Sequence, residues 1–232
     1  MSDWSTNTTL ERIAVHLLGS RRIALLTHTR PDGDAVGSTI AVARALKHVG
    51  REAWPVYTGN WSPRFDPIVG HTPVVYEAPG CWEDSPLNDI GAVLVLDTGS
   101  WSQLTEAHEW LEPRHAQTAL IDHHAHGDAD VADLRVINTK AAAACEIVGQ
   151  LCCLIVGVDS PTQLPADIAE PLYVGLATDT GWFRHSNVSP AAFRLAGDLL
   201  EAGVDHDRIF EMVEQNDRPA RLALMQKALA SL

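Results

Sequence analysis

A histidine and two aspartates fall within seven residues at His28-Thr29-Arg30-Pro31-Asp32-Gly33-Asp34, between an apolar run and a stretch of helical periodicity. Two neighbouring carboxylates repel each other unless a cation lies between them. Oxygen and imidazole donors together suit divalent manganese, iron or zinc better than calcium. The structural alternative is a helix start, with Asp34 as N-cap and Asp32 favouring the helix dipole. Taken alone, the cluster leaves the two readings level. Gly33 permits a turn closed to other residues, and Gly37 lets the helix start lie close to whatever is bound.

Three later stretches add to this cluster. Asp97 closes the apolar run Ala92-Val93-Leu94-Val95-Leu96, although Asp-Thr-Gly also reads as an ordinary turn. Asp122-His123-His124 closes the run Thr118-Ala119-Leu120-Ile121, and three successive titratable groups fit a plain polar loop poorly. Adjacent histidines point in different directions, so one can ligate while the other faces a substrate. A neutral imidazole binds metal through one nitrogen while a neighbour fixes the other. Asp179, in Ala177-Thr178-Asp179-Thr180-Gly181, is equally a helix-terminal residue; Arg184 and His185 follow and offer cations to an anion. His126 and Asp128 share the loop after His124 and take no assigned role.

The elements that must position these groups alternate between strand and helix. Thr8 and Glu11 form a capping box for a helix with Leu10, Ile13, Ala14, Leu17 and Leu18 as its stripe. Strands follow at about 23–27 and from Glu52 to Tyr57, with a helix from Val36 through Ile40 and Ala43 between them. Residues 59–89 form a long surface excursion, packed down by Trp61 and Phe65, with a short strand at Val74-Tyr76. After the strands at 92–96 and 118–121, Asn138 or Thr139 caps a helix whose stripe is Ala141, Ala144, Cys145, Val148, Cys152 and Ile155. Another helix ends near Thr178, kinked or delayed by Pro171. Ser189-Pro190 and Gly203 bound the next, and two more run at about 205–215 and 219–231, with Ile209 and Val213, then Leu222, Met225 and Leu229, as stripes. Strands alternating with helices imply an α/β fold with a parallel sheet flanked by helices. In such sheets ligands bind at the carboxyl ends of the strands.

Composition narrows the class. The chain has 232 residues, 46% of them hydrophobic and 20% charged, as in a globular protein with a sizeable core. No apolar run approaches a membrane span, and Met1-Ser2-Asp3-Trp4 lacks the features of a signal peptide. Cys81, Cys145, Cys152 and Cys153 show no CxxC spacing and read as reduced core residues of a cytoplasmic protein. A formal net charge of −13 argues against nonspecific binding to duplex DNA, yet leaves room for a phosphorylated ligand held by local cations and metals.

Taken together, the motifs resemble those of the DHH phosphoesterase family, within it the bacterial oligoribonuclease and pAp phosphatase branch called nanoRNases. The matching pieces are His28 to Ser38, Val95-Leu96-Asp97-Thr98-Gly99, Ile121-Asp122-His123-His124, and Gly175 to Arg184. They stand in family order and span most of residues 8–205. The resemblance implies two divalent cations, usually manganese, with magnesium, iron or cobalt as substitutes. One would take His28, Asp32 and Asp97; the other Asp34, Asp97, His123 and Asp179, with Asp97 as the bridge. Asp122 would support from behind, and His124 would face the scissile phosphate. Arg30, Arg184 and His185 are then the candidate substrate contacts, with Arg184 also placed near the chemistry. Two cations a few ångströms apart activate a water for in-line attack and neutralise the phosphoryl oxygens.

The expected activity is hydrolysis of phosphodiester or phosphomonoester bonds in short single-stranded oligonucleotides or pAp, with no membrane partner. Pyrophosphate, polyphosphate or a linear dinucleotide are alternative substrates, and a nucleotide-binding module without turnover is the alternative outside catalysis. Pro31-Asp32-Gly33-Asp34 and Phe183-Arg184 look more like the nucleotide-acting branch than the pyrophosphatases. The expected organisation is a catalytic domain over 1–204 and a helical linker over 205–232, leading toward a C-terminal substrate domain whose Gly-Gly-Gly-His motif is not found here. A homodimer is compatible with the sequence.

Overall fold

The apolar runs pair side by side into one sheet of β1 (Arg22–Leu26), β2 (Glu52–Thr58), β3 (Val75–Glu77), β4 (Ala92–Leu96), β5 (Thr118–Asp122) and β6 (Leu134–Ile137). This computed structural model describes residues 4–77, 82, 86–215 and 219–231. The strand order is β3-β2-β1-β4-β5-β6 and every pairing is parallel. The chain winds outward from β1 through β2 to β3, then resumes beside β1 at β4 and winds the other way. The crevice between the carboxyl ends of β1 and β4 is therefore the switch point where such sheets bind ligands.

Helices α1 (Leu10–Leu18), α2 (Gly33–His48), α3 (Asp66–Val69), α4 (His108–Leu111), α5 (Ala144–Val156), α6 (Ala166–Asp179), α7 (Pro190–Glu201), α8 (His206–Phe210) and α9 (Pro219–Leu229) complete the described elements, with short 3-10 turns and a π turn at Glu211–Gln215. Strand residues alternate between two cores. Ile23, Leu25, Leu94, Leu96, Ala119 and Ile121 meet α1, α2, α5, α6 and α7, while Ala24, Leu26, Val93, Val95 and Leu120 meet Trp82, Leu104, Trp110 and Leu111. With both faces covered, the central strands read as continuous apolar runs. No helix among the described residues is long and apolar enough to cross a membrane.

Several elements differ from expectation, each for a local reason. Strand β6 is absent from the sequence reading because Leu134-Arg135-Val136-Ile137 is short and half-buried at the sheet edge. The first helix is capped by Thr9, which accepts from the Arg12 amide at 3.4 Å, and not by Thr8. The amides of Asn7 and Thr8 still bond to the Arg135 carbonyl, so the chain cannot turn helical before Thr9. Neither Asn138 nor Thr139 caps α5, which begins only at Ala144. Its missing cap comes from α2: the Asp34 carboxylate accepts the amides of Ala144 and Cys145 across 110 positions of sequence. Asp32, not Asp34, is the N-cap of α2, accepting from the amides of Asp34 and Ala35 at 3.0 and 3.1 Å.

The glycines at the start of α2 serve a helix rather than a turn or a ligand. A Cβ on Gly33 would stand 2.1 Å from Thr178 Oγ1, and one on Gly37 2.3 Å from the Pro171 carbonyl. These contacts let α6 lie directly on α2. Pro171 neither delays α6 nor ends it. The carbonyl that its missing amide would have bonded, that of Asp167, accepts instead from Arg44 Nη1 at 2.6 Å. Arg44 also donates to the carbonyls of Ile68 and Val69 and to Thr72 Oγ1.

In the 59–89 excursion Phe65 is fully buried and Trp61 packs against Tyr57 and Tyr76, with short helical turns at Pro63–Phe65 and Asp66–Val69. Cys145, Cys152 and Cys153 are buried free thiols, while Cys81 lies outside the described residues. Ile209 and Val213 join the main core, but Leu222, Met225 and Leu229 of α9 are exposed instead of forming a buried stripe.

Arg44→Met should lower stability by about 1–2 kcal/mol, since it leaves the carbonyls of Ile68 and Asp167 without the guanidinium that donates to them, while that of Val69 keeps the Thr72 amide. Urea unfolding measures this. A loss close to zero would show that water replaces the guanidinium at these carbonyls.

Candidate metal centre

Each polar group at the switch point is delivered by the end of an element. His28 stands two residues beyond β1, and Asp32 and Asp34 flank the first residue of α2. Asp97 follows β4 directly with φ of 61°, a left-handed conformation that costs a non-glycine residue roughly 1 kcal/mol or more. Its amide keeps the ladder by bonding to the Ile121 carbonyl, so the strain turns the carboxylate back over the strand ends. Asp122 ends β5, His123 and His124 follow it, and Asp179 ends α6.

The side chains converge into overlapping sets: His28, Asp32 and Asp97; Asp34, His123 and Asp179; and Asp97, His123 and His124, each with donor atoms within 4.8 Å of one another. His28 Nε2 lies 3.6 Å from Asp97 Oδ2 and 3.9 Å from Asp32 Oδ1. His123 Nε2 lies 3.4 Å from Asp97 Oδ1, 3.7 Å from Asp179 Oδ2 and 3.8 Å from Asp34 Oδ2. Most of these gaps are too long for hydrogen bonds. They come close to the roughly 3 to 3.5 Å between donors on neighbouring corners of a cation with bonds of roughly 2 Å. Asp97 Oδ1 is buried without a hydrogen-bond partner of good geometry. An orphaned carboxylate oxygen facing an imidazole nitrogen and two further carboxylates fits a divalent cation.

Burial and neighbouring charge set the protonation of the set. Burial, then the charges of Asp97 and Asp179, push the Asp34 carboxyl well above the usual carboxylate range. Burial also lifts Asp179 to about 6. For Asp97 burial acts upward, but the imidazoles of His123 and His28 outweigh it and hold the carboxyl low. Burial would lower His123, yet Asp97, Asp34 and Asp179 together raise it to about 9. His28 is raised against burial by Asp97 and Asp32.

His124 is built differently. Its Nδ1 lies 2.7 Å from Asp122 Oδ1, the bond that chiefly raises its pKa. Asp122 is fully buried, and the same oxygen accepts the amides of His123 and His124. His123 Nδ1 faces the Ala141 carbonyl at 3.3 Å, so a proton there leaves Nε2 free to ligate.

The site opens into a cavity of about 410 Å³ lined by His28, Asp32, Asp97, His124 and Asp179, and also by Ser100, Ser102, Gln103 and His126. The sequence reading missed Ser100, Ser102 and Gln103, which follow the Asp-Thr-Gly turn with no motif of their own. It gave Asp128 no role, but that carboxylate accepts from the Trp101 amide and Ser100 Oγ, stitching the loop after β5 to the loop after β4. Arg30, Arg184 and His185 are exposed and do not line the cavity; Arg184 Nε is engaged by the Gly181 carbonyl. A larger cavity of about 720 Å³, lined by Arg44, Lys47, Arg51 and Trp54 among others, lies at the opposite end of the sheet, away from these clusters.

Comparison with known proteins agrees with the resemblance read from the four motifs. Residues 22–176 match the DHH family, N-terminal domain. The bifunctional oligoribonuclease and PAP phosphatase NrnA of Thermus thermophilus is 33% identical over 216 residues, covering 90% of this chain and 59% of that protein. The chain thus spans little more than half the length of this relative. Among solved structures, an exopolyphosphatase-related protein from Bacteroides fragilis superimposes with a TM-score of 0.84 at 21% identity, covering 95% of this chain and 64% of that one. The exonuclease RecJ bound to manganese superimposes with a TM-score of 0.56 at 17% identity, covering 89% and 55%. At these identities the two structures speak for the fold.

With its pKa near 9, His123 carries a proton at pH 7 in the metal-free protein and must lose it to ligate through Nε2. Metal uptake at pH 7 should therefore release about one proton or more per chain, and affinity should rise with pH until about 9. Calorimetry in buffers of different ionisation enthalpy counts those protons. Uptake without proton release would remove His123 from the ligand set.

Proposed function

From the premise that the chain belongs to the DHH family, we propose that it is a metal-dependent phosphoesterase acting on short single-stranded oligonucleotides or pAp. The observation that carries this reading is Asp97, whose two oxygens face two separate donor sets, one at His28 and one at His123. One divalent cation would be held by His28, Asp32 and Asp97, the other by Asp34, Asp97, His123 and Asp179. Bound there, the pair would supply the charge that activates water for in-line attack and neutralises the phosphoryl oxygens. Manganese is the first choice, suited to mixed oxygen and imidazole donors; RecJ, of the same fold, is bound to it.

The remaining work falls to the chain's own groups. With Nδ1 held by Asp122, His124 has Nε2 free beside the cavity, where a proton on it would meet a phosphoryl oxygen or the departing oxygen. Asp122 sets that tautomer. Ser102 and Gln103 offer hydroxyl and amide donors to the phosphate or sugar of a bound nucleotide. Arg30, Arg184 and His185 would act further out, steering the anionic substrate across a chain with a formal charge of −13. The oligoribonuclease and PAP phosphatase activities for which the NrnA relative is named support the choice of oligonucleotide and pAp over pyrophosphate.

Protein purified with manganese should hold about two ions per chain and release phosphate from pAp and mononucleotides from 5′-phosphorylated dinucleotides. Asp97→Ala should lose both ions and Asp34→Asn one, each abolishing turnover, as counted by elemental analysis after dialysis. Retention of two ions by Asp97→Ala would end the bridging assignment. Cleavage of pyrophosphate with pAp untouched would move the substrate to the polyphosphate class.

A further inference from the structure

The described chain begins as a strap along the open edge of β6. Thr6 Oγ1 donates to the Ile137 carbonyl and accepts the Ile137 amide, both at 2.8 Å. Asn7 does the same with its side chain, donating to the Asp133 carbonyl at 2.9 Å and accepting the Arg135 amide at 2.8 Å. These reciprocal bonds satisfy an edge that would otherwise stand unpaired. They also carry Trp4, two positions before Thr6, to the rim of the metal-centre cavity.

There the indole makes two kinds of contact. Its Nε1 donates to the His124 carbonyl at 3.1 Å. The benzo edge lies against Gly99 and Gly127 so closely that a Cβ on Gly99 would stand 1.8 Å from Trp4 Cη2, and one on Gly127 2.5 Å from it. Gly99 is two residues past Asp97, and Gly127 three past His124. One ring is therefore wedged between the loops that carry the central carboxylate and the two imidazoles. Neither glycine has the positive φ that would explain it by backbone freedom, so close approach of the ring is what excludes a side chain.

We propose that Trp4 is a positioning residue that holds His124 over the cavity by locking the loops after β4 and β5 against each other. Asp128 joins the same loops, its amide donating to the Gly99 carbonyl at 2.7 Å. Trp4 adds what Asp128 does not reach, the backbone of His124 itself. Asp122 sets which nitrogen of His124 is free, and Trp4 sets where that nitrogen stands. Its readout in turnover rests on the phosphoesterase reading; its readout in loop protection does not.

The test uses Trp4→Ala, Trp4→Phe, Gly99→Ala and the Trp4→Ala/Gly99→Ala pair, all loaded with manganese. Misplacing a catalytic side chain by about 1 Å costs on the order of a hundredfold, so Trp4→Ala should lower kcat about tenfold or more. KM, ion content and melting temperature should stay at parental values. Trp4→Phe, which keeps the ring and loses the N–H, should recover part of the loss. Gly99→Ala should be impaired because its methyl meets the indole, and the pair should be no worse than Trp4→Ala alone. Hydrogen exchange in Trp4→Ala should quicken at amides 98–101 and 123–128 while the sheet stays protected.

A kcat within about twofold of the parent would overturn the proposal. So would a loss that follows ion content or melting temperature. If the parent shows no turnover, that counts against the phosphoesterase reading alone. Exchange then decides: unchanged rates at 123–128 in Trp4→Ala overturn the positioning role, and faster rates confined to the two loops support it.

Discussion

Charge crowding at one crevice is the constraint that shapes this molecule. The carboxylates of Asp32, Asp34, Asp97 and Asp179 surround the imidazoles of His28 and His123, and two of the four are almost wholly buried. Like charges this close disfavour one another, and burial deepens the cost. Three of the four carboxylates are held by different devices. Asp32 caps its own helix, and Asp34 caps another. Asp97 is forced into place by a left-handed turn at a strand end. Asp179 has no such compensation, since it ends α6 where the helix dipole opposes negative charge. The carboxylates in turn favour the protonated imidazoles, raising the pKa of His123 and of His28 against the opposing effect of burial.

Bringing four elements to one point requires helices that touch more closely than side chains allow. Gly33 and Gly37 on α2 meet Thr178 and Pro171 on α6. Gly175 on α6 lies where a Cβ would stand 2.2 Å from Cys145 Sγ and 2.9 Å from Asp34 Oδ1. These glycines set the separation of α2, α5 and α6 at the end where Asp34 and Asp179 project. Arg44 does the corresponding work at the other end of α2, filling the carbonyl left open by Pro171. A proline inside a helix ordinarily costs about 3 kcal/mol. Here its ring is accommodated and the freed acceptor has a cationic donor.

What was legible in the sequence was local. Runs such as Ala92–Leu96 and Thr118–Asp122 announce buried parallel strands, and an aspartate at the end of each must lie near its neighbour once the strands pair. Four short motifs in order then specified the family, and the sheet brings their polar residues to one edge. What escaped depends on contacts between distant positions. The helix after Asn138 starts at Ala144 because its cap arrives from Asp34, and no window of local sequence contains both. Thr8 loses the cap of α1 to Thr9 because Arg135 holds the chain extended. Gly99 reads as a turn residue, and only the position of Trp4 reveals it, with Gly127, as a slot for an indole. Arg184 and His185 were attractive because they are cationic and adjacent to Asp179, yet adjacency along the chain left them outside the cavity.

Asp34 shows why the fold and the centre are difficult to separate. Each carboxylate oxygen has two lone pairs. Oδ1 spends one on the Cys145 amide, and Oδ2 spends one on the Ala144 amide while standing 3.8 Å from His123 Nε2. The group can therefore cap α5 and still present a lone pair to a cation between Asp34, His123 and Asp179. The positive end of the α5 dipole favours the ionised form in the capping role, and a cation would favour it again from the other side. Burial pushes the other way, toward the neutral acid. A cation at this point would settle the contest for the carboxylate and tighten α2, α5 and α6 around it at once. Occupancy of the centre and stability of its three supporting helices are then one equilibrium viewed from two sides.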